Sequence, residues 1–443
     1  MVSLRDQRWL LKRHGIFALA VPTLGARIIE PSVVLVDTGF VGRLGATSLA
    51  ALAINLPIFF AASFLFSFLV DGTTTLVAQA SGRRSEDEVD STVLATLGLA
   101  VLLGVATTVV LLIAGDAIIT FLGAEGEVAD EAGVYLRARA FAIPAFLVSL
   151  TCMGILRGLG DARSPLIVVS LLAATNIVLD ALLIFGFGWG IAGAGIATAV
   201  SQWLAASTGL GFVLRARRCR VRRTSIPVRE LRRLLFVGVQ LTTRTGGLIV
   251  VLILATSVAA QGGEATLAAH QIAAQLWMFL TVAIESFAVA LQVRVGHLYG
   301  ADRGTEARLL ARAMLWWAVA LTPVVALVLY LSSPLTLPMF TQDPRVLTAL
   351  RVPIAILSVM ICLAVVAYMT DGAFMALGRF WYLTLAMLSS AAVACATMLV
   401  LARALSELTA VWLGLGLFVT IRMVLGLVCF ARSPSFGAQV SSR

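Results

Sequence analysis

Residues 16–42 read IFALAVPTLGARIIEPSVVLVDTGFVG. The hydrocarbon core of a bilayer asks for a helix of about 20 apolar residues, and this run exceeds that while holding Pro22, Arg27, Glu30 and Asp37. The basic residues Arg5, Arg8, Lys12 and Arg13 precede it, as they would a signal peptide. The run is too long for a signal peptide's apolar region and has charges inside it, so it is expected to be a first membrane span that stays. The rest of the chain agrees: of 443 residues, 60% are apolar and 13% charged, with a mean hydropathy of +0.99. Soluble domains carry about 25% charged residues, so a soluble fold would lack the means to cover its surface.

Working outward, apolar runs between charged or Gly/Pro breaks predict spans near 16–42, 46–80, 91–114, 132–156, 165–186 and 190–214, then 234–259, 266–294, 307–332, 346–376, 380–402 and 409–431. The net charge of +10 is carried almost wholly by arginine. Sorted by loop parity, the basic residues concentrate on the side of the N-terminus, and nine arginines from Arg215 to Arg233 fill the middle connection. The positive-inside rule then predicts cytoplasmic termini. The middle stretch reads as a topology determinant that touches anionic lipid, not as a nucleic-acid site. The five cysteines are an odd set without CxxC spacing, which predicts neither a disulfide framework nor a structural metal site.

An internal repeat appears at a constant offset of 218 residues: Gly45, Leu49, Ala50, Ala51, Ile54 and Gly82 match Gly263, Leu267, Ala268, Ala269, Ile272 and Gly300, and Gly154, Leu159 and Gly160 match Gly372, Leu377 and Gly378. An even number of spans separates equivalent points, so both copies insert in the same orientation. The expected fold is an all-α membrane protein of twelve transmembrane helices in two six-helix bundles, related by a pseudo-two-fold along the membrane normal. The expected division is a lobe at 1–214, a basic cytoplasmic linker at 215–233 and a second lobe at 234–443.

A charge at mid-bilayer costs roughly 2.5–3.5 kcal/mol on insertion scales and is a functional candidate by default. The candidates are Arg27, Glu30, Asp37, Asp71, Asp180, Arg244, Glu285, Asp371 and Arg422. Asn176 and Asp180, four residues apart, share a helix face. Asp180 and Thr198 each lie nine residues from Trp189 in the tight turn between the fifth and sixth spans. At about 1.5 Å rise per residue both sit at a similar depth, and Asp37, six residues before Arg43, belongs in the same outer half. Asp37, Asn176, Asp180 and Thr198 can thus form one polar pocket of oxygen donors, suited to sodium or to one or two protons. Interhelical hydrogen bonding would use the same residue types. At the repeat offset Asp37, Asn176 and Asp180 become Ala255, Ala394 and Met398, so only one lobe keeps the pocket. Pro22 and Pro31 favour a bend in the first span.

Other patterns lose their meaning in context. Gly188–Gly193 has G-x-G-x-x-G spacing, but no strand precedes it. Gly158-Leu159-Gly160-Asp161 resembles an intramembrane protease motif, yet Asp161 falls in a connection between Arg157 and Arg163. No HExxH, GxSxG or Walker A sequence is present. An enzyme is not expected, and no cofactor.

Several stretches together resemble the multidrug and toxic compound extrusion (MATE) transporters, in the branch of the DNA-damage-inducible protein F. They are Glu30-Pro31 with Leu35–Gly42, Leu156–Leu166, Asn176–Asp180, Gly193–Thr198, Glu285–Ala290 and Asp371–Phe374. Arg43, in place of a common histidine, and Asp71 depart from the pattern. The resemblance implies a V-shaped pair of six-helix lobes that exports organic, often cationic, compounds in exchange for protons or sodium. It puts the cation site on Asp37, Asn176, Asp180 and Thr198, and leaves Glu30, Asp71, Glu285 and Asp371 as possible substrate or secondary polar sites. The expected setting is a bacterial cytoplasmic membrane, with a small organic substrate and membrane lipid as partners, no nucleic acid, and a monomeric chain. The rival readings are a lipid or lipid-linked-precursor flippase and a non-transporting membrane scaffold or receptor.

Overall fold

The computed structural model describes residues 15–217 and 228–433, apart from the side chains of Glu30, Val228 and Arg229. Among these residues there is no strand. The helices are α1 (Ile16–Gly42), α2 (Ala46–Leu65), α3 (Phe68–Gly82), α4 (Glu86–Phe121), α5 (Gly126–Ala140), α6 (Ile143–Gly158), α7 (Arg163–Asp180) and α8 (Gly190–Ala216). They continue as α9 (Val228–Gln261), α10 (Glu264–Gly300), α11 (Gly304–Thr336), α12 (Pro344–Ala376), α13 (Phe380–Leu401) and α14 (Glu407–Arg432). A π-helical turn, Ala181–Gly186, follows α7. Among the described residues eleven helical stretches are long and apolar enough to cross a membrane, α2 and α3 forming one of them. The pair α5 and α6, bent by 47°, passes the same length and composition test when taken together and makes a twelfth. Large apolar side chains such as Ile113 and Leu335 stand about four-fifths exposed, which suits lipid and not water.

Two compact units emerge, one of Ala18–Thr242 and one of Thr243 onward together with the start of α1 up to Phe17. Residues 218–227 of the stretch expected as a linker lie outside the described residues, and its described ends are the last turn of α8 and the first turns of α9.

The 218-residue offset is carried by the helices themselves. Pairs of helix starts at that spacing are Ala46 and Glu264, Glu86 and Gly304, and Gly126 and Pro344; pairs of helix ends are Gly82 and Gly300, and Gly158 and Ala376. The turns repeat as well: Gly45 and Gly263, Arg84 and Asp302, and Gly160 and Gly378 all have positive φ. The matching glycines are therefore imposed by the backbone. Gly154 and Gly372 recur for another reason. A Cβ on Gly154 would lie 2.8 Å from the Val70 carbonyl oxygen, and one on Gly372 would lie 2.6 Å from that of Ala288. Each lobe presses two helices together at a point where only a hydrogen fits.

The repeat fails at the fourth span. In the C-terminal lobe its equivalent, α12, is continuous, whereas α5 and α6 break at Phe141 and Ala142. Pro144 explains the difference, because its ring nitrogen cannot donate to the Ala140 carbonyl one turn back. Two neighbours satisfy what the break exposes. The Thr108 hydroxyl donates to Ala140 O at 2.9 Å, and the Trp203 indole N–H donates to Phe141 O at 3.1 Å. At the end of this lobe where α4 begins and α8 ends, Val77, Val93, Ile155, Leu156 and Val213 form a dry core. Beside it the Arg217 guanidinium holds Asp90 at 2.7 Å and Glu86 at 3.0 Å.

Candidate functional site

The N-terminal lobe gathers its polar residues where α7 stops being an α-helix. Asn176 and Asp180 occupy the last turn of α7, on one face, and are 1% and 0% exposed. The backbone then widens into the π-turn, a feature that recurs at functional sites, and reverses through Gly188 and Gly190, both at positive φ. α8 returns in unusually close contact. A Cβ on Gly193 would meet the Leu183 carbonyl carbon at 2.9 Å, and one on Gly195 would meet the Ala138 side chain at 2.8 Å. These two glycines draw α8 against the π-turn on one side and against α5 on the other, and Thr198 follows one turn later. Its hydroxyl donates to Ala194 O at 3.0 Å, so its oxygen is left with acceptor capacity only.

Asp37 arrives from α1, where its carboxyl lies beside that of Asp180. Phe40 and Phe185 meet edge to face at 5.9 Å and fix α1 against the π-turn close by. Both amide atoms of Asn176 are buried without a hydrogen-bond partner, and both carboxyl oxygens of Asp180 and Oδ1 of Asp37 are buried with nothing but the facing carboxyl beside them to share a proton. Buried polar atoms are nearly always satisfied, and orphaned carboxyl oxygens in a dry setting are costly. α1 and α7 thus bring two acids and an amide together, and Thr198 stands on α8, which packs against the π-turn that follows Asp180.

One neighbour escapes a reading by loop parity. Arg139, which the sequence sorts with the outer connections and span ends, lies in the last turn of α5 and acts electrostatically on both Asp37 and Asp180. It pairs directly with neither. Its Nη1 donates to the Tyr135 hydroxyl at 2.7 Å, and its guanidinium carbon lies 4.2 Å from the Phe59 ring centroid. The only signal in the sequence was an arginine one helical turn after a tyrosine within an apolar span.

The remaining candidates are dispersed. Glu30 lies outside the residues whose side chains the structure describes. Asp71 is half-buried in the first turn of α3, where the helix dipole favours an acid, and it is not among the charges acting on the Asp37–Asp180 pair. Asp371 belongs to the C-terminal lobe, where its Oδ2 accepts from Arg422 at 2.6 Å and from Arg244 at 2.8 Å. Arg422 also lies 5.1 Å from the Tyr368 ring, and Glu285 acts on the same tyrosine. The costly charges of this lobe thus offset one another.

A family description named MatE matches residues 22–182 and, from a point 218 residues later, 240–401. The chain belongs to the MatE family. It is a MATE transporter, not an enzyme. It is similar to Protein DETOXIFICATION 44, chloroplastic, of Arabidopsis thaliana, with 30% identity over 93% of this chain and 81% of that protein. It is also similar to the probable multidrug resistance protein NorM of Acinetobacter baylyi, with 30% identity over 78% of each chain. Among solved structures, one of MATE in the bent conformation matches with a TM-score of 0.86 and 25% identity over 96% of both chains. An outward-facing MATE family transporter shares the fold, with a TM-score of 0.85 and 24% identity over 94% of both chains.

Within this MATE chain the two matched halves differ at the pocket. The positions equivalent to Asp37, Asn176, Asp180 and Arg139 are Ala255, Ala394, Met398 and Leu357, and each is 0% exposed. Close apolar packing fills the C-terminal lobe where the N-terminal lobe holds its acids.

Proposed function

We propose that this MATE transporter is a secondary active antiporter that exports organic compounds, cationic or amphiphilic, in exchange for protons or sodium. The observation that carries the reading is the pair of adjacent carboxyls, half-buried Asp37 and fully buried Asp180, with buried oxygens that no donor from the surrounding helices reaches, in the lobe that also buries Asn176 and Thr198. A cation that enters this pocket removes a charge imbalance between α1 and α7. α1 holds Pro22 and Pro31 within its length, so its carbonyl ladder has two gaps at which it can change curvature. Occupancy of the pocket and the shape of α1 are then linked, and release of the compound follows if cation and compound favour opposite facings. The multidrug resistance in the name of the Acinetobacter baylyi relative supports an organic substrate. The distribution of arginines supports termini in the cytoplasm, and the Acinetobacter baylyi relative supports a bacterial membrane.

The test is efflux of a fluorescent cationic dye from cells that express the wild type, Asp37→Asn or Asp180→Asn at matched membrane levels. Gradient-driven efflux is expected to fail in both variants. Undiminished efflux in both would end the proposal.

A further inference from the structure

The N-terminal pocket contains a positive charge of its own. The Arg139 guanidinium is held from two sides, by the Tyr135 hydroxyl at 2.7 Å and by the Phe59 ring at 4.2 Å. Phe59 and Tyr135 themselves meet edge to face at 6.3 Å. The turn that carries Arg139 is pinned in turn. Gly195 of α8 stands against Ala138 and the Tyr135 carbonyl, and the Asn55 amide of α2 donates to the Ala132 carbonyl at 3.1 Å. A side chain with this many constraints does not swing away to solvent. It remains near Asp37 and Asp180 without closing an ion pair on either.

The repeat gives independent support. Leu357 takes the place of Arg139 in the lobe where Ala255 and Met398 replace the two aspartates. The arginine is present where the acids are and absent where they are not. A guanidinium that served only to pack α5 would have no reason to follow them.

We infer that Arg139 sets the cation affinity of the Asp37–Asp180 pocket, acting as a tethered counter-charge that weakens sodium there. The inference rests on the antiport reading and names the residue that decides between its two coupling ions. A sodium ion must exchange its hydration shell for the oxygens of Asp37, Asn176, Asp180 and Thr198, and it arrives next to a fixed like charge. Like charges that share a poorly screened site repel. A proton meets the same field but binds a carboxylate covalently, with an affinity of about 10⁴ M⁻¹ even in water, so it tolerates a penalty that displaces sodium. Among the described residues the charges that act on the two carboxyls are one another and Arg139, and the Tyr135 hydroxyl lies against the guanidinium.

Sodium titration of the purified protein at constant pH, followed by calorimetry, tests this in the wild type, Arg139→Gln, Arg139→Lys and Arg139→Gln/Asp180→Asn. Arg139→Gln is expected to bind sodium at least about tenfold more tightly than the wild type, a change of one decade or more in Kd. Arg139→Lys keeps the charge and should behave as the wild type, and the double variant should lose the gain. Arg139→Met serves as the neutral variant if Arg139→Gln does not yield folded protein. Equal sodium affinity in the wild type and the neutral variant would overturn the inference, as would an Arg139→Lys variant that binds like Arg139→Gln. Dye efflux that persists in Asp37→Asn and Asp180→Asn would sink the antiport reading while leaving this titration fully readable.

Discussion

The Thr108 hydroxyl of α4 donates to the Ala140 carbonyl, the same carbonyl that Pro144 leaves without its helical donor. A side chain on one helix thus completes the backbone of another at the bend of the fourth span. Thr108→Val keeps the shape and removes the donor, so the buried carbonyl is left unsatisfied, at about 1–3 kcal/mol. The apparent Tm of purified protein should fall. Adding Pro144→Ala restores a backbone N–H within reach of Ala140 O, and the double variant should recover part of the loss. A double variant that is no better than the sum of its parts would show that the two groups do not share that carbonyl.

The crossings at Gly154 and Gly372 predict a matched pair of defects. In either Gly→Ala variant the new methyl meets a carbonyl oxygen well inside contact distance, and the rigid backbone on the other side must move, at roughly 1–3 kcal/mol. Gly211, in the interior of α8 with nothing within 4 Å of an added Cβ, is the control. Gly211→Ala should be neutral or stabilising by up to about 1 kcal/mol, because alanine is the better helix former. Thermal unfolding of the three variants side by side checks the contrast.

Asp371 is the acid that both Arg244 and Arg422 require. Asp371→Asn removes the carboxylate that two guanidinium groups share inside the C-terminal lobe, and breaking a buried pair costs about 3–5 kcal/mol. The expected result is a sharp drop in folded yield on size-exclusion chromatography, with partial recovery when Arg422→Met is added. A fully folded, thermally normal Asp371→Asn protein would show that the arginines find other partners.

Thr198 separates packing from donor chemistry. Its hydroxyl hydrogen is committed to Ala194 O, so Thr198→Ser keeps the acceptor oxygen and Thr198→Val removes it in the same volume. Gradient-driven dye efflux should be retained by the serine variant and reduced several-fold by the valine variant at equal membrane levels. Equal loss in both variants would point to helix packing as the role of the side chain.

Much of the architecture was legible because its rules are local or periodic. Apolar runs mark the crossings, and the spacing from Gly45 to Gly263 and from Gly160 to Gly378 marks a duplication, since each of these turns needs a left-handed residue. Asn176 and Asp180 share a face by helical geometry alone. The break at Phe141 was harder to see: the run near 132–156 reads as one span, and Pro144 only becomes a break when Thr108 and Trp203 stand ready to donate to the freed carbonyls. The π-turn after Asp180 leaves no mark in apolar periodicity. Arg139 was hidden by its position near the end of an apolar run, where an arginine ordinarily meets water or headgroups. The joining of Asp371 with Arg244 and Arg422 spans 127 and 51 residues and depends on which helices pack together, which no spacing rule supplies.

Met398 fills the room above Gly414, whose missing side chain leaves space for the thioether. The later copy has plugged its own version of the acid seat with a flexible, oily stopper, while the earlier copy keeps its two acids there. A duplicated scaffold of this kind offers a ready graft site: the addresses for a second acid pair already exist at Ala255 and Met398, and the stopper is the part that would have to be cut back first.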